Sequence, residues 1–180
     1  MNENGSWIVE GGEYGDNASR QVIGNGIPTM HAALTANLQV KNFDLSVTLR
    51  GSFDFQILNQ YRMLWENFAR GADHNFPRSI LRNKYNHYVA TAPAYVSYYV
   101  EDGDFVKIDN ITLGYTFRFK NPKNPIRTLR LYASGLNLYT FTRYQGVDPE
   151  INFNGLTPGV DYVAGYPTTR TFTFGVKLGF

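Results

Sequence analysis

Hydrophobic and polar residues alternate along five stretches of the chain. In Thr169–Phe180, one parity carries Phe172, Phe174, Val176, Leu178 and Phe180, and the other Thr171, Thr173, Gly175, Lys177 and Gly179. Such a period of two marks a strand with one apolar and one polar face. From Ala32 the even positions read Ala32, Leu34, Ala36, Leu38 and Val40, against Ala33, Thr35, Asn37, Gln39 and Lys41. After Lys41-Asn42 the next stretch sets Phe43, Leu45, Val47, Leu49, Gly51, Phe53 and Phe55 opposite Asp44, Ser46, Thr48, Arg50, Ser52 and Asp54. Three charges in six positions suit a wall facing water better than a protein core. A further strand is predicted over Phe105–Phe119, with Ile111, Leu113, Tyr115, Phe117 and Phe119 on one face. Over Thr128–Phe141, Leu129, Leu131 and Ala133 share one parity and Leu136 and Leu138 the other, which predicts a bulge near Gly135.

The connections between these strands alternate in length. A tight turn at Lys41-Asn42 and a proline-bounded loop at Lys120–Pro125 are short. Some 49 residues, Gln56–Asp104, and about 26, Thr142–Pro167, form the other two. Loops this long are uncommon in compact soluble domains. Alternating short turns and long loops characterise bacterial outer-membrane barrels, and strand polarity puts both long loops at one end. The expected layout is an outer loop over 1–30, a hairpin over 31–55, a long outer loop over 56–104, a hairpin over 105–141, an outer loop over 142–167 and a terminal strand over 168–180. The fold class is therefore all-β, an antiparallel membrane β-barrel segment. Five strands cannot close, because an open edge in lipid leaves unpaired backbone groups. The chain is expected to be the carboxyl-terminal part of a larger barrel. The alternative is a soluble β-sandwich carbohydrate-binding module, in which the apolar rows would face each other.

Composition narrows the function. The chain of 180 residues has 13 Tyr, 13 Phe and 17 Gly, so aromatic and polar character must be sharply segregated. A net charge of +2 gives no electrostatic case for nucleic acid. Without cysteine there is no disulfide, thiolate metal site or thiol nucleophile. His31, His74 and His87 are too scattered for a metal motif; a site from His74, His87 and an acid is the one combination the long loop allows. No stretch matches a phosphate-binding loop, and Ser134 lies outside a nucleophile-elbow context, so neither catalysis nor a cofactor is expected. The start, Met1–Trp7, lacks the basic and apolar regions of a secretory signal, and no apolar run reaches the length of a membrane helix.

The long loops hold the candidate binding residues. Ile57, Tyr61, Leu64, Trp65 and Phe68 share a face at helical spacing, predicting a short helix over Ile57–Ala69. Tyr61 and Trp65 could stack on a sugar ring or pack on neighbouring loops. Tyr95, Tyr98 and Tyr99 approach a strand where a membrane aromatic belt would place them. Tyr144, Asp148, Glu150, Asp161, Tyr162 and Tyr166 mix aromatic faces with carboxylates, a set that suits hydroxyl-rich ligands. It equally suits a solvated loop pinned by tyrosine hydroxyls. Asp148 and Glu150 flank Pro149 like a carboxylate pair, but no partner group or cleft identifies them as a glycosidase site.

Several blocks in order resemble the late barrel of SusC/RagA-type TonB-dependent transporters. They are Val22–Pro28, Lys41–Ser46, Tyr99–Tyr115, Leu131–Thr142, Asp148-Pro149-Glu150, Tyr166-Pro167 and Arg170–Phe180. The resemblance implies an integral outer-membrane barrel of about 22 strands importing oligosaccharides or peptides. It implies a SusD-like lipoprotein over the outer face and energy from the TonB complex through a plug domain. It also implies that Phe172, Phe174 and Phe180 form the signal read by the barrel-assembly machinery, and that outer-membrane lipid surrounds the wall. The plug and most of the barrel have no counterpart in these residues, so the chain alone is not expected to transport.

Overall fold

The computed structural model describes residues 21–68, 75–82, 95–121, 125–151, 155–163 and 165–180. The chain divides into two compact units, a sheet unit of Thr29–Asp54, Asp104–Arg143 and Pro167–Phe180, and a loop unit of Met1–Pro28, Phe55–Gly103 and Tyr144–Tyr166.

The sheet unit is built from β1 (Met30–Val40), β2 (Phe43–Phe53), β5 (Phe105–Arg118), β6 (Thr128–Thr142) and β8 (Thr171–Gly179). They form one antiparallel sheet in the order β1-β2-β5-β6-β8. The predicted faces line up across the whole sheet. One row reads Leu38, Leu45, Leu113, Ala133 and Phe174; the next reads Val40, Phe43, Tyr115, Leu131 and Val176. The alternate row reads Asn37, Ser46, Thr112, Ser134 and Thr173. Register in a sheet is set by this pattern, because a one-residue slip exchanges the faces.

The apolar rows are exposed, with Leu38 59% and Phe174 81% accessible. A soluble sandwich would cover such rows with a second sheet, and the described residues of this unit contain only one. The sandwich alternative therefore falls, and the fold is a segment of an antiparallel membrane barrel. No described helix is long and apolar enough to cross a membrane.

The bulge expected near Gly135 is present two residues beyond it, but without a parity change in β6: Tyr139 and Phe141 keep the parity of Leu129, Leu131 and Ala133, and Leu136 pairs with Asn110 and Thr171 on the polar face. Ile108 pairs with Tyr139 and Asn110 with Leu136, so Asp109 bulges from β5 and Asn137-Leu138 from β6. Asn137 takes φ 52, and asparagine tolerates that left-handed backbone better than most residues. Because both strands bulge at the same level, the faces stay consistent: above it, Leu49, Ile108 and Tyr139 continue the apolar row.

Aromatic rings bracket the apolar band. Phe43, Tyr115 and Phe117 meet edge-to-face at 4.6 Å near the short turns, and Tyr139 and Phe141 do so at 4.7 Å near the other end. Tyr115 lies nine steps along β5 from Val106, the partner of Phe141. At about 3.4 Å per residue and a tilt of about 40°, the two girdles are roughly 23 Å apart in height, close to the apolar band of about 25 Å in outer-membrane barrels.

In the loop unit, β3 (Gln56–Asn59) pairs antiparallel with β4 (Val100–Asp102) and parallel with β7 (Val160–Asp161). The helix expected over Ile57–Ala69 is shorter: α1 spans Gln60–Trp65. Ile57 is completely buried within β3, and Asn59 ends the strand by accepting the Arg62 amide at 3.0 Å through its side chain, a helix N-cap. Ala69, His74 and His87 lie outside the described residues. Among the described residues of this unit, Phe55, Ile57, Met63, Ile80, Tyr99 and Tyr144 are the buried apolar and aromatic ones.

Candidate functional site

Charge is collected inside the loop unit. Arg62, one turn into α1, donates to Glu66 at 3.0 Å and to Glu101 of β4 at 2.5 Å. It also donates to the Tyr98 hydroxyl at 3.2 Å, its guanidinium lying 5.2 Å from the ring centre. Glu101 in turn accepts from Asn59 at 3.3 Å and, through its second oxygen, from the Gln145 backbone at 2.8 Å. One carboxylate thus ties α1, β3 and β4 to the segment after β6. Burial works against the Arg62 charge, but the hydrogen bond from Glu101 and the fields of Glu66 and Glu101 outweigh it and raise its pKa.

A second bond joins the same segment to β7: the buried Tyr144 hydroxyl donates to Asp161. Burial, followed by the bond to Asp161, pushes the Tyr144 phenol well above its usual range. Burial also raises the Asp161 pKa, helped by the negative charges of Asp148 and Glu101; the Tyr144 hydrogen bond opposes the shift without cancelling it. Tyr99, with none of its surface exposed, is likewise shifted upward by burial first and by the neighbouring Tyr98 second.

The structure sorts the candidate residues named from sequence. Tyr144 and Asp161 meet, as a bonded pair in the interior. Asp148 accepts the Glu150 amide at 3.0 Å across Pro149, a local turn, and both acids are half-buried. Tyr61 is 44% and Tyr162 48% exposed, so both rings face solvent. Tyr61 and the half-buried Trp65 have ring centres 6.0 Å apart, one turn of α1 from each other. The Tyr162 hydroxyl is held 2.6 Å from Thr157. Tyr95, also exposed, accepts from Gln60 at 3.1 Å. The expected membrane belt at Tyr98 and Tyr99 is corrected: these rings pack edge-to-face at 4.9 Å within the loop unit, Tyr98 beneath Arg62.

Sequence reasoning missed the Arg62–Glu101 core. The Asn59-x-x-Arg62 cap and the Arg62/Glu66 spacing of four were local signals for part of it. Glu101, 39 residues from Arg62, left none.

The polar face of the sheet carries its own network. Arg130 of β6 reaches across β5 to Asp44 of β2 with bonds of 3.1 and 2.5 Å, its guanidinium 5.0 Å from the Tyr132 ring centre. Gly114 lies beneath this bridge; a Cβ there would stand 2.5 Å from the Asp44 carboxylate. Gly175 of β8 likewise makes room for the Tyr132 ring, with which a Cβ would collide. At the bulge Arg50 binds Asp109 at 2.7 Å, and Asn137 donates to the Thr169 carbonyl at 3.1 Å. Between these charged levels the face is hydroxylic, with Thr35 against Thr48 at 3.2 Å and Thr112 against Ser134 at 2.9 Å.

Comparison with known proteins places this arrangement. No family model matches the sequence. The TonB-dependent receptor P3 of Formosa agariphila is 32% identical over 188 residues, covering 91% of this chain and 17% of that protein. The TonB-dependent receptor SusC of Bacteroides thetaiotaomicron is 32% identical over 158 residues, covering 82% of this chain and 15% of its own length. The chain thus spans about a sixth of these curated relatives. Among solved structures, the RagAB peptide importer in its closed-closed state superposes with a TM-score of 0.76 at 20% identity, over 97% of this chain and 21% of the matched one. Its open-open state gives a TM-score of 0.71 at 22% identity, over 85% of this chain and 17% of the matched one.

Proposed function

We propose that the chain, similar in sequence to TonB-dependent receptors including SusC and in fold to the RagAB importer, is part of the outer-membrane β-barrel of a SusC/RagA-type importer of oligosaccharides or peptides working with a SusD-like lipoprotein. The observation that carries this reading is the exposed apolar row, in register across five strands and bracketed by aromatic rings. Such a surface is stable against lipid and a liability in water.

The polar face then lines the lumen, the two short turns lie on the periplasmic side and both long segments outside. Ligand contact falls to the solvent-facing Tyr61 and Tyr162, with Trp65, Asp148 and Glu150 beside them. Tyr144 and Asp161 serve by holding the loop that presents them. TonB acts through a plug supplied elsewhere in the receptor, and Phe172, Phe174 and Phe180 serve as the assembly signal.

The test is biochemical fractionation with an antibody against residues 142–167. A species several-fold heavier than 20.5 kDa, in the outer membrane and co-purifying with a lipoprotein, is the expected result. A 20.5 kDa species that stays monodisperse without detergent overturns the reading. The RagAB precedent is a peptide importer, so uptake of labelled peptides and of labelled oligosaccharides by cells carrying the receptor decides between the two cargoes.

A further inference from the structure

Cations gather at one end of the sheet unit with little acid among them. Around the two short connections lie Lys41, Arg118, Lys120, Arg127, Arg130 and Lys177, with Asp44 the single acid among the described residues there. Asp44 is already bound to Arg130. The remaining acids of the unit, Asp54, Asp104 and Asp109, lie toward the opposite end, mixed with Arg50, Lys107, Arg143 and Arg170. Lys41, Arg118, Lys120, Arg127 and Lys177 are exposed, and none has an ion-pair partner among the described residues. Of these five cations, Arg118 and Lys177 share the polar face, while Lys41, Lys120 and Arg127 lie in the connections at the rim, a local concentration of positive charge in a chain whose net charge is only +2.

The same rim carries rings. Phe43, Tyr115 and Phe117 form their edge-to-face series there, and Phe119 and Phe180 are exposed beside them. Aromatic rings settle at the level of lipid headgroups, and cations just beyond them meet the headgroup phosphates. Lys41 and Lys120 lie in the connections, past the last residues of the strands, so their ammonium groups can reach that level without crossing the apolar band. Arg127 is fixed at the same height by its backbone, which donates to Gly179 at 2.8 Å and accepts from Phe119 at 2.9 Å.

We propose that this rim is a docking surface for anionic phospholipid headgroups, with Lys41, Lys120 and Arg127 as the phosphate-binding cations. The inference rests on the membrane reading above and adds which end, and which lipid charge, the barrel prefers.

The test uses the receptor carrying this chain, reconstituted into vesicles of mixed phosphatidylcholine and phosphatidylglycerol and then extracted gently. Lipids retained per protein are counted by native mass spectrometry. The unaltered protein is expected to keep phosphatidylglycerol preferentially, and more weakly at high salt. The triple variant Lys41→Gln, Lys120→Gln, Arg127→Gln should lose roughly tenfold of that preference, while its heat-modifiable gel migration stays unchanged. A triple variant that keeps the preference overturns the proposal. So does loss confined to Arg118→Gln with Lys177→Gln, whose polar-face parity would direct the charge to the lumen. A receptor that never enters the vesicles sinks the membrane reading, and this surface with it.

Discussion

The sheet unit and the loop unit solve opposite problems with one pool of residues. In the sheet, leucine, valine and phenylalanine point outward and the charges sit on the other face as the pairs Asp44–Arg130 and Arg50–Asp109. In the loop unit the charges are inside, with Arg62, Glu66 and Glu101 at 14%, 4% and 9% side-chain exposure, while Tyr61, Tyr95, Tyr162 and Tyr166 lie outside. The difference teaches where each unit's stability resides. Backbone ladders and the lipid environment hold the sheet, and no single side chain dominates. A few buried ionic hydrogen bonds hold the loop unit, so single substitutions there should have large effects.

Removing Arg62 is the sharpest way to break the comparison. Arg62→Met leaves Glu66 and Glu101 buried without their cation, at an expected cost of about 3–5 kcal/mol. Hydrogen exchange should show lost protection in β3, α1 and β4, with β1 and β2 unaffected. Unchanged protection in the loop unit would mean its charges do not organise it.

Next in size is a contrast within the sheet. Val47→Arg, on the apolar face, should disfavour insertion by about 2–4 kcal/mol near the midplane. Thr48→Arg, on the polar face, should be tolerated. Urea titration of folding into lipid vesicles compares them, and equal tolerance would remove the distinction between faces.

A smaller effect is expected at Gly175. Alanine there crowds the Tyr132 ring, and overpacking of this kind costs about 1–3 kcal/mol. A Gly175→Ala, Tyr132→Ala double variant should recover part of the loss in the same titration if the clash is its cause.

The smallest effect distinguishes the units by pH. Asp161 has its folded pKa raised, chiefly by burial, so the folded state favours its protonated form. Its stabilising contribution is therefore complete below the unfolded carboxylate pKa of about 4 and is lost as pH rises through the elevated folded value. Proteolysis between residues 144 and 163 should accelerate over that rise, and Asp161→Asn should flatten the dependence. A slope that survives in Asp161→Asn belongs to another group.

The two units also differed in how far they could be read beforehand. The sheet was legible because period two repeats in every strand and states its own register; the bulge expected near Gly135 lies two residues on, at Asn137-Leu138, although Leu136, whose parity suggested it, sits on the polar face opposite Asn110. The loop unit was not, because its organising contacts join distant positions, Arg62 to Glu101 and Glu101 to Gln145, 39 and 44 residues apart. Apolar residues at spacings of three and four suggested one long helix where a buried Ile57 prefers a strand and Asn59 resets the start. Among the candidate site residues, the exposed rings of Tyr61 and Tyr162 were identifiable as surface aromatics, but nothing local announced that Tyr144 and Asp161 would be bound to each other.

The bridge from Arg130 to Asp44 has a kinetic meaning. These residues are 86 apart in the chain and lie on strands that are not neighbours. Neither the β1–β2 hairpin nor the β5–β6 hairpin can form the bond alone. It closes only when β5 has docked on β2 with β6 already aligned, and a slip of one residue in β6 would turn Arg130 onto the apolar face. Arg130–Asp44 pairing is thus a late event that reports correct alignment of three successive strands at once, and a chain with the wrong register would stall with a bare guanidinium facing the bilayer.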